Sequence, residues 1–190
     1  MTFDFAAARQ IMVDSQVRTN DVPDLTIQQA MRRVERERLC PAGKAYLAYA
    51  DAEVEYAPGR WMLRPRDVAK LLYAVRPRAG EKALAIVAPY AAAVLEDMGL
   101  TVTRLDAGDV KTPPAGAFDV IVCEGAVGEV PPAWTSALAM DGRLAVVVRA
   151  GPVGKLRLYT RSAEHIGWRE VFDSTPPVLA GFETEVRFAF

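Results

Sequence analysis

The sequence predicts a doubly wound α/β domain preceded by a helical N-terminal third. Three observations carry this. Short, continuously apolar runs such as Ala83–Val87 and Phe118–Cys123 have the composition of strands buried on both faces of a parallel sheet. Helical patterns stand between such runs, in the strand–helix–strand order of right-handed parallel crossovers. In the first third, apolar residues recur at helical intervals instead.

Taken in order, Asp4 is placed to cap a first helix on which Phe3, Phe5, Ala6, Ile11, Met12 and Val17 recur. A second helix is expected from Asp21 or just after it, with Pro23 in its first turn. It carries Leu25, Ile27, Ala30, Met31 and Val34 and ends in Glu35-Arg36-Glu37-Arg38, whose mixed charges read as a solvated face. Pro58-Gly59 marks a turn inside Glu53–Met62, so a small hairpin is expected there. Pro65 opens a helix through Val68, Leu71, Leu72 and Val75, which Pro77 stops. From Gly80 the pattern becomes strand Ala83–Val87, helix Tyr90–Met98 ending at Gly99, strand Thr101–Leu105 and strand Phe118–Cys123. A helix over Pro131–Met140 and an Asp141-Gly142 turn then lead into strand Arg143–Arg149. Lys155–Arg161, Trp168–Phe172 and Glu183–Phe190 read as extended segments that add an antiparallel edge. No linker or repeat divides the chain, so residues 1–190 form one domain: N-terminal helices and hairpin over 1–79, sheet over 80–190.

Composition narrows the function. The chain has 190 residues, 23 basic and 24 acidic, for a formal net charge of -1. No positive field is available to draw in nucleic acid or an anionic membrane. No apolar run approaches the roughly 20 residues a membrane helix needs, and the N-terminus lacks the build of a signal peptide, so the cytoplasm is expected. Cys40 and Cys123 read as reduced thiols used as small apolar residues. His165 is the only histidine and reads as a surface residue, which leaves no expected metal site and no His-dependent triad.

Specific segments carry a resemblance. Met12-Val13-Asp14-Ser15-Gln16-Val17, then Ala30-Met31, Val34-Glu35-Arg36-Glu37-Arg38-Leu39-Cys40-Pro41 and Ala48-Tyr49-Ala50-Asp51, follow in order and spacing. Phe118-Asp119-Val120-Ile121, Glu124-Gly125-Ala126, Pro131 and Asp141-Gly142-Arg143-Leu144 continue the pattern. The chain thereby resembles the protein-L-isoaspartate O-methyltransferases nearly end to end. The resemblance implies a Rossmann-like class I methyltransferase fold and S-adenosylmethionine as cofactor, bound at the first strand-to-helix turn by a glycine-rich loop. It implies methyl transfer to the carboxylate of isoaspartyl residues.

The sequence departs from that family at the site. The turn reads Ala85-Ile86-Val87-Ala88-Pro89-Tyr90-Ala91, two residues short and without a glycine, where glycines let the backbone approach a ligand. The acid expected at the end of the first strand is Ala85. Asp106 closes the second strand, where an acid would hydrogen-bond ribose hydroxyls, although a polar residue before Ala107-Gly108-Asp109 is also simply a turn residue. Residues 107–117, with Pro113 and Pro114, cannot hold the helix and third strand expected there, so the sheet is reduced by about one strand and helix. Leu63 stands where the family has a hydroxyl that helps position the substrate carboxylate.

No catalytic residue is therefore assigned. Val87, Ala88, Pro89, Asp106 and Glu124 are the candidate, vestigial cofactor positions. The primary expectation is a degenerate family member with weak or no S-adenosylmethionine binding, acting as a binding or interaction protein for a protein or peptide partner. The alternative is an active carboxyl O-methyltransferase; a third is another small ligand in the crevice at Glu124–Ala126. The sheet edge at Thr101–Leu105 is expected to be covered by the Ala107–Ala117 loop or by a second subunit.

Overall fold

The computed structural model describes residues 4–184. Its centre is a six-stranded sheet of β3 (Lys82–Ile86), β4 (Thr101–Leu105), β5 (Phe118–Val127), β6 (Leu138–Val148), β7 (Lys155–Arg161) and β8 (Ile166–Asp173), in spatial order β4-β3-β5-β6-β7-β8. The first four strands pair in parallel, and β7 and β8 add antiparallel. Within the parallel half β3, β5 and most of β6 are buried because both their faces are covered, while β4 lies at the open edge. On one face lie α1 (Phe5–Met12), α2 (Leu25–Arg33), α3 (Pro65–Val75) and α4 (Pro89–Asp97). The other is covered by the short helix Pro132–Ser136 and by a C-terminal strap, which bring Trp134, Leu179 and Phe182 into one cluster with Ile86, Ile121 and Val146.

Local chemistry accounts for most boundaries. Asp4 caps α1 by accepting from Ala7 N at 2.9 Å. Asp24 caps α2 through Thr26 N and Ile27 N, so that helix begins after Pro23 and stops at Arg33. Its expected continuation through Arg38 is instead a separate 3₁₀ turn, Arg36–Leu39. Helical character persists beyond α1 as a π turn over Val13–Val17. The hairpin of β1 (Val54–Ala57) and β2 (Arg60–Met62) forms as expected, with Gly59 at φ 69°. Ile11, grouped with the apolar positions of the first helix, is exposed.

Two expectations about the sheet are corrected. The expected helix over Pro131–Met140 is only α5 (Pro132–Ser136), because β6 starts at Leu138. Asp141-Gly142 lies inside β6 as a bulge: the register with β5 jumps from Phe118↔Leu138 to Val120↔Arg143. At Gly142 a Cβ would meet two backbone oxygens at 2.8 Å. The missing strand is absent as expected, and β4 is an edge. Residues 107–117 do not cover that edge, since Thr101, Thr103 and Arg104 are exposed. The loop instead crosses the sheet's second face, where Val110 O accepts from Trp134 Nε1 at 2.9 Å. The extended segment expected over Glu183–Phe190 falls mostly outside the described residues. No described helix is long and apolar enough to cross a membrane.

Candidate functional site

The carboxyl ends of β3, β4 and β5 are where an open α/β sheet places a ligand. The structure brings four of the five candidate residues together there. β3 ends at Ile86 and the chain turns at once through Val87 and Ala88 into α4, whose first residue is Pro89. Val87 is held at φ 47°, a left-handed conformation that a β-branched residue adopts only under strain and that a glycine would adopt freely. Its N–H donates to Leu105 O at 3.1 Å, which ties the turn to the end of β4. Val87, Ala88, Pro89 and Tyr90 are all buried.

Pro89 has no N–H, so the donors at the amino end of α4 are those that follow it. Glu124, from β5, supplies their acceptor. Its Oε1 accepts from Ala91 N at 2.6 Å and its Oε2 from Leu63 N at 3.1 Å, and its carboxyl also draws on the N–H of Tyr90. Glu124 is 0% exposed. Burial pushes its carboxyl up to about 7, against the pull of the Arg36 charge and of the three backbone donors. An internal acid thus fills the position that a helix amino end offers to an anion.

Arg36 forms the far wall. The mixed charges around it predict a solvated face, yet it is 0% exposed. Its Nε donates to Ala48 O at 2.7 Å and its Nη2 to Leu63 O at 2.8 Å, and its guanidinium lies 4.6 Å from the centre of the Tyr90 ring. Leu63 is therefore gripped through both backbone groups, by Glu124 at its N–H and by Arg36 at its carbonyl. Its side chain is core, and Met62 beside it is buried too.

Asp106, the fifth candidate, stands one strand over, directly after β4. Its Oδ1 is buried and accepts no hydrogen bond. The Tyr56 hydroxyl, from β1, is likewise buried and unpartnered; burial drives its pKa upward, and the Glu124 and Asp106 charges add to the effect. A strap then closes the end of β5. Ala126 N donates to Pro177 O at 3.2 Å, Leu179 N to Ala126 O at 2.8 Å and Gly128 N to Phe182 O at 2.7 Å. Leu179 sits so closely on Gly125 that a Cβ there would meet it at 2.7 Å. Sequence reasoning missed Arg36, Tyr56 and the strap; only Arg36 carried a signal, its agreement with the family segment.

Elsewhere, Cys123 is buried and Cys40 half-buried, both as free thiols. His165 is exposed in the β7–β8 turn, against Ser162. Among the described residues no group of three or more His, Cys, Asp or Glu side chains could hold a metal ion.

The strand order and the buried turn between β3 and α4 define a Rossmann-like methyltransferase fold. A crystal structure of a protein-L-isoaspartate O-methyltransferase from Plasmodium falciparum, in complex with S-adenosyl-L-homocysteine, superposes with a TM-score of 0.73 over 90% of this chain and 97% of its own, at 14% identity. A second protein-L-isoaspartate O-methyltransferase structure gives 0.74 over 92% of this chain and 67% of its own, at 16% identity. The chain belongs to the protein-L-isoaspartate O-methyltransferase family: it is 34% identical to the Methylorubrum populi enzyme of that name, over 92% of this chain and 96% of the relative. The protein-L-isoaspartate O-methyltransferase 1 of Rhodopseudomonas palustris is 29% identical over 94% of this chain. No protein-family model matches the chain.

Proposed function

We propose that this chain keeps the protein-L-isoaspartate O-methyltransferase scaffold with weak or no S-adenosylmethionine binding, and works by binding a protein or peptide partner. One observation carries the reading: the Glu124 carboxyl already takes the backbone donors at the amino end of α4. An incoming amino-acid carboxylate would have to displace a buried acid, meet like charge and find no glycine-lined space beside Val87 and Pro89. The residues present do not fit the methionine end of the cofactor. Leu63, buried where the family has a hydroxyl, supports the same reading for the substrate side.

A second reading is methyl transfer to isoaspartyl carboxylates, the activity named for relatives that align along nearly the whole chain. Asp106 favours it, since its unpartnered Oδ1 leaves an acceptor free for a ribose hydroxyl at the other end of the crevice. The two readings separate in an assay of labelled methyl transfer from S-adenosylmethionine to an isoaspartyl peptide, with an active family enzyme run beside it. Under the first reading no product forms above the protein-free background. Turnover comparable to the control establishes the second. The cytoplasm, expected from the sequence, is part of the proposal in either case.

A further inference from the structure

The end of the sheet opposite the crevice carries cations that neither reading uses. A hollow of about 520 Å³ lies there, between the carboxyl end of α3, the amino ends of β3 and β5, and β8. Arg76 and Arg78 stand on one rim and Arg169 on the other, all three exposed. Among the described residues, none of their guanidinium groups has an ion-pair or hydrogen-bond partner. Arg143 fixes the first rim. It donates to Val75 O at 2.9 Å and to Arg76 O at 3.1 Å, and it pairs with Glu81 at 3.0 Å. The carbonyls of the helix end, whose partial negative charge would repel an anion, are thereby taken up. Arg76 itself sits at φ 47°, so α3 closes on an arginine where a glycine would adopt the conformation freely. Glu81 is engaged by Arg143 and by Arg78 N, and Asp119 accepts from Lys82 N at 2.8 Å. Three free guanidiniums against Asp119 and Asp141 leave the hollow net positive. Met140, 57% exposed, adds an apolar side chain to the same wall.

We propose that this hollow binds an acidic, extended peptide segment of a partner protein. Arg143, which holds the first rim, stands on β6, and Arg169 stands on β8, two strand spacings or about 10 Å away. Cations so spread meet carboxylates carried at intervals along a chain, and stand wider apart than the oxygens of one phosphate. Met140 offers such a chain an apolar contact that a phosphate backbone does not use. A net charge of -1 over the whole chain supplies no long-range field to hold a nucleic acid. The hollow lies at the ends of the strands away from Glu124 and Asp106, so the proposal rests on neither reading of the crevice.

The test is fluorescence anisotropy of a labelled peptide, Asp-Glu-Leu-Glu-Asp-Leu, titrated with the full chain at low ionic strength and without S-adenosylmethionine. Saturable binding is expected, and none for the uncharged analogue Asn-Gln-Leu-Gln-Asn-Leu. Arg78→Glu and Arg169→Glu, one from each rim, should each weaken binding at least about fivefold, as an attraction becomes a repulsion. Because separate elements carry the two, misfolding of one variant leaves the other as the test. Arg60→Glu makes the same change of charge in the β1–β2 hairpin, near Tyr56 at the crevice end, and should alter binding by less than about twofold. Equal losses in Arg60→Glu and Arg169→Glu overturn the proposal by making the attraction general. No saturation up to about 0.3 mM protein also overturns it. So does displacement of the peptide by inorganic phosphate, or by a short single-stranded DNA, at lower concentration than by unlabelled peptide.

Discussion

Replacing Glu124 by alanine removes the acceptor for Leu63 N and Ala91 N and leaves a polar hollow beneath α4. Each buried amide left without a partner costs about 1–3 kcal/mol, so two cost about 2–6, from which an entering water recovers part. A net loss of about 3 kcal/mol follows at pH 5. At that pH the Glu124 carboxyl is protonated in the folded chain, since burial raises it to about 7 from an ordinary value of 4.5. The sign then reverses part of the loss at higher pH. A raised acid makes the folded state hold its proton longer, so the wild-type chain loses stability between pH 4.5 and about 7, by at most about 3 kcal/mol. Alanine has no proton to lose. Urea unfolding of wild type and Glu124→Ala at pH 5 and pH 8 should therefore show a large gap at pH 5 that narrows by about 1–3 kcal/mol at pH 8. A gap under about 1 kcal/mol at pH 5, or one that widens with pH, would refute the reasoning.

The same titration predicts that Glu124→Gln flattens the stability profile between pH 5 and pH 8; a profile as steep as wild type assigns the slope to other groups. At the strained turn, Val87→Gly loses buried side chain but releases a left-handed valine, worth about 1–2 kcal/mol. Denaturant midpoints should show it milder than Val122→Gly by at least about 1 kcal/mol, and equal losses would mean that no strain is stored there. Gly125→Ala puts a Cβ 2.7 Å from Leu179 and should cost about 2–4 kcal/mol. Adding Leu179→Ala should recover part of that cost, and strictly additive losses would separate the two sites. Ser174→Ala removes the hydroxyl that donates to buried Asp67 at 2.6 Å, and calorimetry should register a loss of about 1–2 kcal/mol. An unchanged melting temperature would show that Asp67 finds another donor.

The sheet was legible in the residues because β3 and β5 contain continuous apolar runs and Lys155–Arg161 alternates polar with apolar residues; Thr101–Leu105 and Lys155–Arg161 are formed over the very spans expected of them. The helix expected after Pro131 was not, because Trp134, Ala137 and Leu138 fit a helical period as well as a helix turn followed by a bulged strand, and the pairing of Leu138 with Phe118 decides between them. The missing third strand could be read once the family resemblance said where to expect it, since residues 107–117 are too few and hold two prolines. The site was half legible. Missing glycines and Leu63 are statements about single positions, and a sequence displays them. That Arg36 turns inward to hold Ala48 and Leu63, while Glu35 and Arg38 pair with each other at the surface, depends on a 3₁₀ turn whose register local charge pattern does not reveal. Nor could sequence show that Glu124 points to the amino end of α4, since that contact joins residues 33 apart across a strand and a helix.

The central claim is that the chain's own acid holds the place of a ligand at that helix end. Its most direct measurement is a calorimetric titration of the wild-type chain with S-adenosylhomocysteine at neutral pH. No saturable heat up to millimolar ligand is the result this account predicts, and saturable binding in the micromolar range would contradict it.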